Sequence, residues 1–190
     1  MKLRFGGLFA ATVLLTIGAV AGWFYGGFYP IGADVPHNRL TYSLLELIRE
    51  QSVARAARHV TVPEDMDNPN RLLTGGADYN DMCAQCHLKP GRTASDFSVG
   101  LYPAPPNLAV KQGDIGSRNY SETEALKRRF WIIKHGIKAS GMPAWKYHHD
   151  DERIWSMVAF IERLPELSAV QYQILTAKNN SAEHTSNEHH

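Results

Sequence analysis

The chain has 190 residues, with 20 basic against 19 acidic side chains and a formal net charge of +1. That length predicts one domain with appendages, and the balanced charge, with no basic stripe, excludes broad nucleic-acid binding. Ten prolines and fifteen glycines predict a loop-rich fold, and the four Trp, eight Tyr and seven Phe supply aromatic mass for a core.

Residues 1–33 differ in kind from the rest. After Lys2 and Arg4 there is no ionisable acid or base up to Ala33, two tyrosine hydroxyls apart. As a helix, Phe5 to Ala33 would extend about 43 Å, more than the roughly 30 Å of bilayer hydrocarbon; a tilt or a non-helical end near Pro30 absorbs the excess. Positive charge at the start places that end in the cytoplasm and the remainder outside. Trp23, Phe24, Tyr25, Phe28 and Tyr29 would form an aromatic belt at the outer interface. Gly18, Gly22 and Gly26 recur every four residues, a small-residue face that would let a second transmembrane helix approach. The competing reading is a signal peptide cleaved after Ala19-Val20-Ala21. A retained anchor is preferred, because cleavage would leave "GWFYGGFYPIG" as an exposed apolar end.

Residues 34–63 predict an amphipathic linker helix. Leu40, Leu44, Leu47 and Ile48 fall at helical spacing, with Arg49, Arg55 and Arg58 interleaved. Two readings stand: a spacer helix packed on the next domain, or a docking surface for a partner.

A domain is expected over 64–172. Asn68 and Pro69 are a good cap and first helical residue, and that helix should run into the only cysteines of the chain. Residues 88–120 read as loop. Ser121 to Glu124, "SETE", is a capping box opening a helix from Glu122 to about Gly136. Asp150 or Asp151 caps the next, "ERIWSMVAFIERL", which stops at Pro165. A short helix around Ala169 to Thr176 comes after it. The polar residues 173–190 are expected to be a disordered tail. No repeat and no alternating strand pattern is present, so the fold class is all-α.

The chemistry lies in "NDMCAQCHLKPG", Asn80 to Gly91. Cys83 and Cys86 could form a disulfide, but that leaves His87 without a role. Zinc needs about four ligands, and no second cysteine pair exists. A thioredoxin-type dithiol belongs in a sheet context that is missing. Cys-x-x-Cys-His is the c-type haem attachment pattern, in which two thioethers and a proximal histidine hold one porphyrin.

Gly75, Tyr79 and Cys83 lie at four-residue steps on one helix face, and glycine there lets another helix cross. The candidate is the helix carrying Trp155 and Phe160. With these residues the sequence resembles the class I monohaem cytochromes c, of the membrane-anchored bacterial type, over about Leu72 to Leu164. The resemblance implies that fold, with helices around one haem c bound covalently through Cys83 and Cys86. It also implies that "APPNL", Ala104 to Leu108, is the family's proline-containing loop. There the Pro106 carbonyl would accept from the second nitrogen of His87, fixing its orientation.

"KASGMPAW" resembles the family's distal methionine loop, which makes Met142 the sixth ligand; a thioether suits an electron carrier and raises its potential. Met1, Met66, Met82 and Met157 fit less well. His135, His148 and His149 are competing ligands, whereas His37 lies close to the membrane end. His184, His189 and His190 are in the tail. Leu101, Tyr102, Leu108, Trp131, Ile132 and Trp145 would wrap the haem. Lys134 and Lys138, with Lys127, Arg128 and Arg129, would either steer acidic partners or form a solvated helix face.

With both axial positions filled, the expected activity is outer-sphere electron transfer and not catalysis. The reading is an electron carrier in the bacterial inner membrane with a periplasmic haem domain. It would take electrons from a quinol-oxidising complex or dehydrogenase and deliver them to an oxidase or reductase, free or as a subunit. The alternatives are a haem-based peroxidase or gas sensor with an open distal site, and a zinc- or disulfide-stabilised binding module.

Overall fold

The computed structural model describes residues 2–111 and 120–177, with side chains from Gly7 onward. All regular structure among these residues is helical. Two compact units are present, Met1–Val35 and Pro36–His190.

The first unit is built on α1 (Lys2–Tyr25). Its Gly7–Tyr25 portion of 19 residues is long and apolar enough to cross a membrane, since about 28 Å of helix nearly matches the hydrocarbon thickness. Side chains along it are exposed, as a helix needs if it is to present apolar surface to lipid. The helix proper ends at Tyr25 and holds Gly18 and Gly22, and the Gly26 N–H still donates to the Gly22 carbonyl at 2.9 Å, so the three glycines stay in helical step. Nothing lies within 4 Å of where a Cβ on Gly18 or Gly22 would sit. Trp23 packs edge-on against Phe24 and Tyr29, with ring centroids 5.0 and 5.8 Å apart.

The second unit begins with α2 (Arg39–Ala57), whose N-cap Asn38 accepts from the Thr41 N–H at 2.9 Å. It continues with α3 (Pro69–Asp78), a π-helical turn over Tyr79–Cys83 and α4 (Ala84–His87). A single turn, α5 (Asp96–Val99), interrupts the segment expected to be loop. Then come α6 (Glu122–His135), α7 (Asp151–Arg163) and α8 (Ala169–Leu175). Asn68, Ser121, Asp150 and Ser168 cap α3, α6, α7 and α8 through their side-chain oxygens. Helix α8 continues three residues past 172; the tail from Lys178 on, with His184, His189 and His190, lies outside the described residues.

Helix α7 is the centre of this unit. Every residue from Ile154 to Ile161 is buried, because α3 crosses one side of it and α6 packs on another. The crossing depends on Gly75: a Cβ there would lie 1.9 Å from the Ser156 carbonyl oxygen. Gly76 is equally confined, by the Leu175 carbonyl and the Phe160 ring. Phe160 thus covers the gap as expected, with its ring 5.4 Å from that of Tyr79. Trp155 instead stacks on Phe130 of α6 at 4.3 Å.

Charged groups add specificity to this crossing. Arg153 of α7 forks onto Asp78 of α3 with two bonds of 2.7 Å. Arg71, buried, reaches Asp65 and Glu152, both at 2.8 Å. A guanidinium matches a carboxylate in a planar two-bond geometry, so these pairs fix the rotation of one helix against the other.

Helix α2 packs on α6, but not through the leucine stripe. Val53 and Ala57 are its buried residues, and Glu50 pairs with Arg128 while accepting from the Tyr120 hydroxyl at 3.1 Å. Leu40, Leu44, Leu47 and Ile48 remain more than half exposed. The stripe is local, whereas the face that docks was chosen by a carboxylate meeting a guanidinium 78 residues away.

Candidate functional site

The site is assembled where α3 ends. The π-helical turn places the Ala84 N–H on the Tyr79 carbonyl, five residues back. Such a turn inserts one extra residue into the helix and rotates the positions after it, here Cys86 and His87, while Cys83 closes the turn. The two sulfurs are not bonded to each other and both are half-buried. Burial, with Asp78 and Cys86 nearby, pushes the Cys83 thiol up to about 12. A thiol held that strongly protonated is the opposite of an activated redox cysteine.

Two loop contacts hold His87. Its Nδ1 lies 2.9 Å from the Pro106 carbonyl oxygen, and its own carbonyl accepts from the Leu108 N–H at 3.0 Å. A carbonyl can only accept, so Nδ1 must carry the proton and Nε2 keeps its lone pair. Burial lowers the His87 pKa while the Pro106 carbonyl works in the opposite direction, which leaves a neutral imidazole, the form that ligates metals. Asn107 secures the loop, donating to the Arg92 carbonyl at 3.2 Å and accepting from the Ala109 N–H at 3.0 Å.

The sequence did not reveal the role of the Tyr79 hydroxyl. Tyr79 is fully buried and donates to the Leu88 carbonyl at 2.7 Å, with the His87 carbonyl at 3.2 Å. It therefore ties the end of α4 to the α3–α7 core. Leu88 has a φ of 71°, a strained position for a residue with a Cβ, and this bond helps to hold it. Helical spacing signalled Tyr79 as a packing residue; its hydroxyl partner lies on a turn that no periodicity marks.

Met142 sits on the loop after α6 and is half-buried against the core. Gly136, with φ of 66°, ends α6; a Cβ there would meet the Met142 carbonyl at 2.7 Å. The Ile137 N–H donates to the Met142 carbonyl at 3.2 Å, and the Met142 N–H to Ser140 Oγ at 3.1 Å. The methionine backbone is thus bound to the end of α6.

The other expected residues separate into two places. Tyr102 and Trp131 line one cleft of about 630 Å³, together with His37, His135, residues 136–140 and the side of α2. That volume lies in the range of cofactor and ligand pockets. Tyr102 accepts from the His37 N–H at 3.1 Å, and Trp131 stacks on His135 at 4.8 Å. Trp145 lies elsewhere, stacked on His149 at 5.6 Å. His149 is half-buried, not solvated, and its Nε2 lies 3.2 Å from Met82 Sδ.

Much of the expected basic patch is used internally. Arg128 is buried on Glu50, Arg129 pairs with Glu162, and Lys134 lies 2.6 Å from Asp151. Among the described residues only Lys127 and Lys138 of the five form no ion pair.

These residues fit a covalently attached haem: two thiols one turn apart, a neutral imidazole with Nε2 available, and a thioether on a separate, braced loop. No group of three or more His, Cys, Asp or Glu side chains converges as a metal cage among the described residues, so the pair and His87 do not find zinc partners. All-helical architecture and this site have the features of a class I c-type cytochrome domain, a kind of module that uses haem for electron transfer. Residues 70–161 match the family described as Cytochrome C oxidase, cbb3-type, subunit III. No curated protein and no solved structure gives a match.

Proposed function

We propose that the chain is a membrane-anchored electron-transfer protein. It would carry one haem c on Cys83 and Cys86, with His87 and Met142 as axial ligands. The observation that carries this reading is the grip on His87 by the Pro106 carbonyl and the Leu108 N–H. A ligand imidazole whose other nitrogen donates to a fixed acceptor has a set tautomer and orientation. The backbone bonds of Met142 to Ile137 and Ser140 would restrain the second ligand in the same way.

The bound haem would supply reversible one-electron chemistry at iron. The chain's own residues orient His87, hold Met142 against exchange and exclude water with Leu101, Tyr102, Leu108 and Trp131. Two protein ligands leave no vacancy for a substrate, which favours a carrier over a peroxidase or gas sensor. The matched family's name refers to a subunit of a terminal oxidase, and that supports a respiratory oxidase or reductase as acceptor. A quinol-oxidising complex or dehydrogenase would be the donor. The apolar Gly7–Tyr25 segment supports a retained anchor, with the cytochrome domain on the periplasmic side of a bacterial inner membrane.

The test is spectroscopic. Full-length protein from cells able to attach haem should retain its colour through acid-acetone extraction and show a methionine-to-ferric-iron absorption band. The reduced protein should be indifferent to carbon monoxide. Loss of haem on extraction would refute covalent attachment, and rapid carbon monoxide binding would favour an open distal site.

A further inference from the structure

Helix α2 has two faces of different chemistry, and only one is accounted for by packing on α6. At about 100° per residue, Glu46, Glu50, Val53 and Ala57 share the inward side, where Val53 and Ala57 are buried and Glu50 meets Arg128. Leu40, Leu44 and Leu47 project from a different side, roughly 120° round the helix, at 79, 54 and 51% exposure. Continued toward the C-terminal end, the same side carries Gln51, Arg55 and, at the C-cap where it also borders the seam with α6, Arg58, all exposed. No acid lies on it. Arg55 and Arg58 form no ion pair among the described residues.

We infer that this outward face of α2 lies on an anionic bilayer surface, with the leucines in the acyl boundary and Arg55 and Arg58 on lipid phosphates. An apolar stripe accompanied only by basic charge fits the lipid interface, whereas a face closing a protein core would have no use for unpaired arginines. Reach is available: Gly26 to Asn38 join α1 to α2, and thirteen residues extend to at most about 45 Å. The inference rests on the retained-anchor reading for its tether, and not on haem ligation.

The full-length protein in lipid nanodiscs tests it. Nitroxide labels would be placed singly at Leu44→Cys, Leu47→Cys and, as an exposed reference off α2, Thr93→Cys. The ratio of collision with oxygen to collision with a water-soluble nickel chelate reports immersion. With phosphatidylglycerol in the discs, labels at 44 and 47 should show a ratio several-fold above that at 93. Phosphatidylcholine discs, or the double variant R55E/R58E, should reduce the difference. Ratios at 44 and 47 equal to that at 93 in protein that stays with the discs overturn the α2 placement and leave the anchor standing. Labels screened from both reagents mean a protein contact and also overturn it. Protein that leaves the discs on washing refutes the anchor, and the α2 inference with it.

Discussion

Gly75 and Ser156 touch backbone to backbone where α3 crosses α7: a Cβ on Gly75 would stand 1.9 Å from the Ser156 carbonyl oxygen. The crossing carries the cysteine motif on one side and the buried length of α7 on the other, so the geometry of the site begins with a missing methyl group. Gly75→Ala forces the helices apart and should destabilise the domain by about 1–3 kcal/mol, the usual range for overpacking. Gly100→Ala is the control, because its nearest neighbour to an added Cβ is 3.7 Å away. Thermal midpoints of the two variants against the parent measure the difference; equal midpoints would show that the helices do not cross this closely.

Tyr79→Phe keeps the ring among Phe160 and Tyr172 but removes the hydroxyl. The Leu88 carbonyl then loses a 2.7 Å donor inside a buried turn. An unsatisfied buried acceptor costs about 1–3 kcal/mol. Because the lost bond holds the residue after His87, replacement of the His87 imidazole by water on acidification should also set in at a higher pH. A variant that is less stable but unchanged in ligand exchange would assign Tyr79 to packing alone.

Met142→Leu should abolish the methionine-to-ferric-iron band and allow the reduced protein to bind carbon monoxide. Met142→His should retain a closed site but lower the reduction potential, since a thioether raises it. Should Met142→Leu keep the band, another methionine must be the ligand, and Met82, beside His149, is the next to replace.

Glu50 should make α2 acid-labile. Burial alone would raise its carboxyl pKa, but the bond from Tyr120 and the charges of Arg128 and Arg49 outweigh burial and hold it below the ordinary range. A depressed carboxyl contributes stability above its ordinary pKa near 4.3 and loses it as pH falls through the folded value. Protection factors across α2, taken relative to intrinsic exchange at each pH, should therefore be high at pH 7 and fall below about pH 4. Glu50→Ala should remove that protection at neutral pH, costing about 3 kcal/mol, because Arg128, only 7% exposed, is left without its carboxylate.

Gly22→Leu tests whether α1 has a transmembrane partner. The position is open on the helix surface, so the substitution should leave the protein folded and membrane-bound. Co-purification of membrane proteins with the haem band in mild detergent should fall; unchanged recovery would make the glycines incidental.

The parts governed by short range were set by residues close along the chain. Cys83, Cys86 and His87 are one turn of helix, the caps at Asn68, Ser121 and Asp150 act within three residues, and the apolar run of α1 needs no partner to be read. Gly75 was legible too, because a glycine in step with Tyr79 leaves little purpose other than a close crossing. Tertiary structure alone decided which atoms answer them. The Leu108 N–H on the His87 carbonyl, the Tyr79 hydroxyl on Leu88, the fork of Arg153 on Asp78 and the burial of Arg128 on Glu50 all join residues with no common period. Helix α2 illustrates the reason: its leucine stripe is a local pattern, but which side meets α6 depends on a carboxylate finding its guanidinium only after the chain has folded back. Periodicity records what a segment prefers, and long-range pairing selects among those preferences by desolvating some groups and leaving others in solvent.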